Sequence, residues 1–100
     1  MITKIEENDG IMTVYLEGRM DTSVSEAVEK EVQPVYETEC KEIVIDCSKL
    51  DYIASSGLRI LLSILKGAKT NGSRVSLRGV NDDIMNIFKL TGFNSIFDFE

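Results

Sequence analysis

Three consecutive β-branched residues, Ile43-Val44-Ile45, stand between Glu42 and Asp46. Such side chains are stiff at χ1 and fit a pleated surface better than a helix. A short apolar run that does not alternate with polar residues reads as a central strand buried on both faces, here residues 42–47. A strand of that kind needs partners on its edges and cover for its faces. The rest of the chain must therefore supply more strands and some helices.

It does so in alternation. Residues 2–7 and 11–17 flank Asn8-Asp9-Gly10, and Asp-Gly between two β-rich runs signals a hairpin. Met12, Val14 and Leu16 share one strand face; Ile11, Thr13 and Tyr15 share the other. Asp21 or Thr22 can then cap a helix, along which Val24, Ala27, Val28, Val32, Val35 and Tyr36 keep helical spacing. Pro34 lacks an amide donor, so this helix should kink or fray there. After residues 42–47 comes a turn region, then Tyr52-Ile53. A helical pattern runs from Ser56 to about Asn71, and Asn71-Gly72 suits its end. Residues 74–79 form another strand. Asn81 caps a short helix whose first turn carries Asp82 and Asp83, which suit the positive end of its dipole. Thr91-Gly92 closes it, and Ile96 to Phe99 make a last hydrophobic segment. The order β-β-α-β-α-β-α implies parallel pairing with right-handed crossovers and one antiparallel edge. The expected fold is α/β: a mixed sheet of four or five strands, an N-terminal antiparallel hairpin, and three or four packed helices.

Composition narrows the function. The chain has 100 residues, which suits one domain over residues 1–100. Its formal net charge is −6, with no basic stripe, so neither nucleic acid nor an anionic membrane surface is an expected partner. No apolar stretch approaches the ~20 residues of a membrane span. The start, MITKIEENDG, does not read as a secretory signal. Histidine is absent, which excludes a Ser-His-Asp or Cys-His relay and any His-ligated metal site. Cys40 and Cys47 read as buried or half-buried thiols in a reducing cytosol. No catalytic residue, metal or cofactor is expected. The glycines form no phosphate-binding loop, and no G-x-S-x-G turn is present to make a hydrolase.

The junction Asp51-Tyr52-Ile53-Ala54-Ser55-Ser56-Gly57-Leu58 holds two hydroxyls where a strand becomes a helix. Ser55 or Ser56 could simply cap the helix. Alternatively, an exposed serine there could carry a phosphate close to unpaired backbone N–H groups, and Gly57, with no Cβ, would let a partner approach. On the helix itself Leu58, Leu61, Leu62, Leu65 and Ala68 form a core stripe. Ile60 and Ile64 lie off its centre, which widens the apolar arc to roughly 200° against the ~100° that a surface helix needs. Either another part of the chain covers them or they form a patch for a partner.

Four stretches together resemble the STAS domain, specifically stand-alone bacterial anti-sigma factor antagonists. Leu16-Glu17-Gly18-Arg19-Met20-Asp21 is similar to the family's Leu-x-Gly-x-Leu/Met-Asp. Ile43-Val44-Ile45-Asp46 with Leu50 is similar to its central strand and loop. Tyr52-Ile53-Ala54-Ser55-Ser56-Gly57-Leu58 is similar to its phosphorylation motif. Phe88-Lys89-Leu90-Thr91-Gly92-Phe93 is similar to its Phe-x-x-Ser/Thr-Gly-Leu/Phe. The resemblance implies that Ser55 is the phosphoacceptor; Ser56, Gly57, Leu58 and Asp21 are expected to shape its site, and Arg59, Ile60 and Ile64 are the candidates for a partner interface. The family often carries aspartate or serine where this chain has Ala54.

The implied cycle is partner switching in the bacterial cytoplasm. The unmodified, free monomeric domain binds an anti-sigma factor that is also a GHKL-type serine kinase, and the sigma factor is released. Phosphorylation breaks the complex, and a PP2C-type phosphatase restores it. Asp21, Asp46 and Asp51 are expected near the modified end of the sheet, where they would add to the repulsion. The alternative is a STAS scaffold or regulatory module that binds a protein without being phosphorylated.

Overall fold

A computed structural model describes residues 1–100. Strand β1 (Ile2–Asn8) turns back into β2 (Ile11–Met20) through Asp9-Gly10. Both turn residues have positive φ, 52° and 79°, the conformation that matches the twist of a tight hairpin. Helix α1 (Thr22–Glu31) stops at Val32, and Pro34 lies in the first turn of the short α2 (Gln33–Tyr36). The expected kink is thus a break into two helices, with proline where a missing N–H costs least. Then follow β3 (Glu42–Ile53), α3 (Ser55–Asn71), β4 (Arg74–Arg78), α4 (Asp82–Thr91), a single 3₁₀ turn (Phe93–Ser95) and β5 (Asp98–Phe99). Gly72 and Gly92 close α3 and α4 in the left-handed conformation.

The five strands lie in chain order, with β1 antiparallel to β2 and every other neighbour parallel. Each crossover therefore steps the same way across the sheet. Right-handed crossovers then stack all the helices on one face. That face holds the core: Met12, Val14 and Leu16 of β2, Ile43 and Ile45 of β3, Val75 and Leu77 of β4. Phe88 of α4 packs there with Phe97 and Phe99. No helix is long and apolar enough to cross a membrane.

The central strand is buried on both faces at Ile43, Val44 and Ile45, as expected, although the helices stack on one face only. Val44 is buried, but it stands outside the main core, between its register partners Thr13 and Ser76 on the other face. The far end of β3 is corrected: the strand does not end at Cys47, and the region read as a turn is strand, irregularly paired. Tyr15 pairs with Asp46 but Glu17 with Lys49, and Gly18 pairs with Leu50 but Arg19 with Tyr52. Each shift inserts one extra residue into β3. The buried residues Cys47, Leu50 and Ile53 are consequently three apart instead of two, and no alternation marks the strand.

Candidate functional site

The candidate site sits where β2 and β3 both end and both launch a helix. Met20 pairs with Ile53, and the Ala54 N–H donates to the Met20 carbonyl at 2.9 Å. Asp21 and Ser55 therefore begin α1 and α3 from neighbouring strand ends. At Asp21 the carboxylate caps α1: it accepts from the Ser23 N–H at 3.0 Å and from the Ser23 hydroxyl. The Ser23 hydroxyl bond is the main cause that holds this carboxyl below its ordinary value.

Helix α3 begins differently. Its N-cap is Ala54, in extended conformation, and no side chain caps the end. The Leu58 N–H returns to the Ala54 carbonyl at 3.0 Å, so the donors ahead of it in the first turn lack intrahelical acceptors. Neither serine is the cap. Ser55 is exposed. Ser56 is turned inward, and its Oγ is buried with no hydrogen-bond partner. The two hydroxyls thus occupy different environments: one in solvent, the other in a slot between α1 and α3. That slot is a groove of about 210 Å³ lined by Ser25, Glu26, Glu29, Ser56, Arg59, Ile60 and Ser63.

Three assignments change. Gly57 is buried, and a Cβ there would lie 2.8 Å from Ile53 Cγ1 and 3.0 Å from Met20 Cγ and Sδ. Its glycine lets α3 start against the strand ends; it does not open the site to a partner. Ile60 and Ile64 are 5% and 1% exposed. They belong to the core because α1 and α2 pack against α3. The wide apolar arc is covered from within, and these two side chains form no partner surface; Leu62, read as core stripe, is only half-buried. Asp46 lies mid-sheet opposite Tyr15 and Arg78. Arg78 Nη2 donates to its carboxylate at 2.8 Å, and the Ser48 N–H donates at 2.9 Å. Burial pushes this carboxyl up, but the bonds from Ser48 and Arg78 outweigh it and hold it below its ordinary value. Leu58 is buried, whereas Arg59 and Asp51 are exposed.

One feature beside the site escaped the sequence reading. The Arg19 guanidinium stands over the Tyr52 ring, 4.5 Å from its centroid. The residues are 33 apart and become register partners only through the second shift between β2 and β3. No local pattern announces the pair.

A family model described as "STAS domain" matches residues 3–100. The anti-sigma F factor antagonist of Paenibacillus polymyxa is 24% identical over 94 residues, spanning 93% of this chain and 80% of that protein. A solved anti-sigma factor antagonist from Mycobacterium paratuberculosis superposes with a TM-score of 0.87 at 23% identity, over 98% of this chain and 83% of the other. The Bacillus cell fate determinant SpoIIAA, solved in its phosphorylated form, superposes with a TM-score of 0.74 at 15% identity, over 99% of this chain and 91% of the other.

Proposed function

This chain belongs to the STAS domain family, and from that premise we propose that it is an anti-sigma factor antagonist of the cytoplasm, switched by phosphorylation of Ser55. In its unmodified form it binds an anti-sigma factor, a serine kinase of the GHKL type, and so frees the sigma factor. The kinase transfers phosphate to the Ser55 hydroxyl and the complex parts. A PP2C-type phosphatase returns the domain to its binding form.

The observation that carries this reading is the division of labour at the start of α3. Ala54 holds the cap position without using a side chain, Ser56 is turned inward, and Ser55 alone offers a hydroxyl to solvent. A phosphate there would add about −1.5 to −2 charges at neutral pH. Within the domain, the uncapped N–H groups and the positive end of the α3 dipole would soften the cost. Across an interface, the same charge meets desolvation and repulsion. It would also stand beside Asp21 and a groove that already carries Glu26 and Glu29. A loss of about 3 kcal/mol weakens binding more than a hundredfold, so a change local to Ser55 suffices and the fold need not move. Arg59, exposed one turn into α3, remains the interface candidate after Ile60 and Ile64 leave the surface.

Binding of the purified domain to a GHKL-type anti-sigma kinase from the same organism tests this directly. Wild-type protein binds, the phosphorylated protein and Ser55→Asp bind at least a hundredfold more weakly, and Ser55→Ala binds but takes no phosphate. Equal affinity for the phosphorylated and unmodified forms would refute the switch. If Ser55→Ala changes nothing in cells, the chain is instead an unmodified STAS scaffold.

A further inference from the structure

We propose that the free edge of β1 is a self-association surface, on which a second copy of this chain adds its own β1 antiparallel across a two-fold axis through Ile5. The two edges of the sheet are unlike. The β5 edge is two residues long, whereas β1 presents seven residues, paired in unbroken register with β2 on one side only. It carries no proline and no bulge, so its charges, Lys4, Glu6 and Glu7, are the one device that could blunt it, and the pairing register decides whether they repel.

The hairpin decides which groups are free. Asn8 and Ile11 flank the two-residue turn and so form a hydrogen-bonded pair. Because such pairs alternate along an antiparallel ladder, Glu6, Lys4 and Ile2 turn their backbone groups toward β2. Thr3, Ile5 and Glu7 turn theirs outward, unpaired. A second copy must match outward residues with outward residues, which leaves a small set of registers. Pairing Thr3 with Ile5 sets Lys4 against Lys4, and pairing Ile5 with Glu7 sets Glu6 against Glu6. Pairing Ile5 with Ile5 sets Lys4 against Glu6 twice, as non-hydrogen-bonded neighbours whose side chains approach most closely. Both side chains are exposed and point to the helix-free face, with Tyr15 and Thr13 as their register partners. Only this register is attractive at both sites. It would join the two sheets into a continuous sheet of ten strands, twice the five of each copy. So short an edge falls well below the ~800 Å² per partner of a standard interface, and the dimer is therefore weak and concentration-dependent.

Charge reversal tests the register without touching the core. In sedimentation velocity from micromolar to millimolar concentration, wild-type protein should pass from monomer to dimer, with amide exchange slowing at Thr3, Ile5 and Glu7. Lys4→Glu alone and Glu6→Lys alone each make both contacts repulsive, and each should raise the dissociation constant at least about tenfold. The double variant Lys4→Glu/Glu6→Lys should restore it, and an equal mixture of the two single variants should form mixed dimers more tightly than either associates alone. Unchanged circular dichroism and unfolding midpoints establish that every variant is folded. A monomer at every concentration overturns the proposal. So does self-association that both single reversals leave intact, or that Leu90→Lys on the 88% exposed Leu90 abolishes instead. A double variant that stays as weak as its parents overturns the register.

Discussion

Gly57 and Ile53 approach more closely than any other residue type at position 57 would permit. A Cβ on Gly57 would lie 2.8 Å from Ile53 Cγ1, inside the distance that real carbon contacts reach. Met20 blocks the same space at 3.0 Å. Ile53 and Met20 are 2% and 0% exposed and end the two strands that launch α1 and α3. Gly57→Ala should therefore push α3 off the strand ends. We expect it to destabilise by about 1–3 kcal/mol, as overpacking of a filled core does, although alanine is the better helix former. Urea unfolding gives the value, and the same variant should lose partner binding, because Ser55 moves with the helix.

The two serines should respond oppositely to what their adjacency suggests. Ser55 caps nothing and is exposed, so Ser55→Ala should change stability by no more than about 0.5 kcal/mol. Ser56 Oγ is buried without a partner, so Ser56→Ala removes an unsatisfied group and should be neutral or stabilising by up to about 1 kcal/mol. Denaturant midpoints for the two variants separate these cases.

Asn81 supplies the contrast. Its side chain accepts from the Ile84 N–H at 2.9 Å and donates to the Leu50 carbonyl at 3.1 Å, joining the cap of α4 to the irregular part of β3. Asn81→Ala should cost about 1–2 kcal/mol, at the upper end for a lost helix cap. Thermal and urea unfolding would measure it.

Acid stability should depend on Asp46. Its folded carboxyl lies below the ordinary value of 3.8. The group therefore contributes stability that is present in full above that value and is lost as the pH falls through the folded one. Unfolding free energies between neutral pH and pH 3 should fall less steeply for Asp46→Asn than for wild type. Asn cannot bind the extra proton that the unfolded wild-type Asp takes up. Arg78→Met should also make the acid-dependent fall shallower, since the Arg78 bond is one cause of the lowered value and without it the folded carboxyl lies closer to the unfolded one.

Cys47 should be inert while the domain is folded. It is fully buried, and burial pushes its thiol up to about 12, with the Asp46 charge acting in the same direction. Because the thiolate is the reactive form, alkylation at pH 8 should be limited by unfolding. Mass spectrometry of labelled peptides should show Cys47 modified only as fast as the protein opens, and at once in denaturant.

The sequence by itself determined the elements whose signals are local. The Asp9-Gly10 turn, the Asn81 cap and the Gly72 and Gly92 helix ends rest on the conformations that these residue types prefer within a few positions. The two-residue period gave β2 its core face, and the 3.6-residue period gave Leu58, Leu61, Leu65 and Ala68 of α3. The four resembling stretches likewise singled out the β3–α3 junction. What the tertiary structure alone decided depends on residues far apart in the chain. The consecutive order of the strands put every helix on one face and left Val44 outside the main core. Two inserted residues in β3, set only by its pairing with β2, carried the strand past Cys47 and brought Arg19 over Tyr52. The packing of α1 and α2 on α3 took Ile60 and Ile64 from the candidate interface into the core. Within the pair Ser55-Ser56, tertiary packing buried one hydroxyl and left the other in solvent. Periodicity reports how apolar a helix face is, but only the neighbouring element decides whether that face is covered.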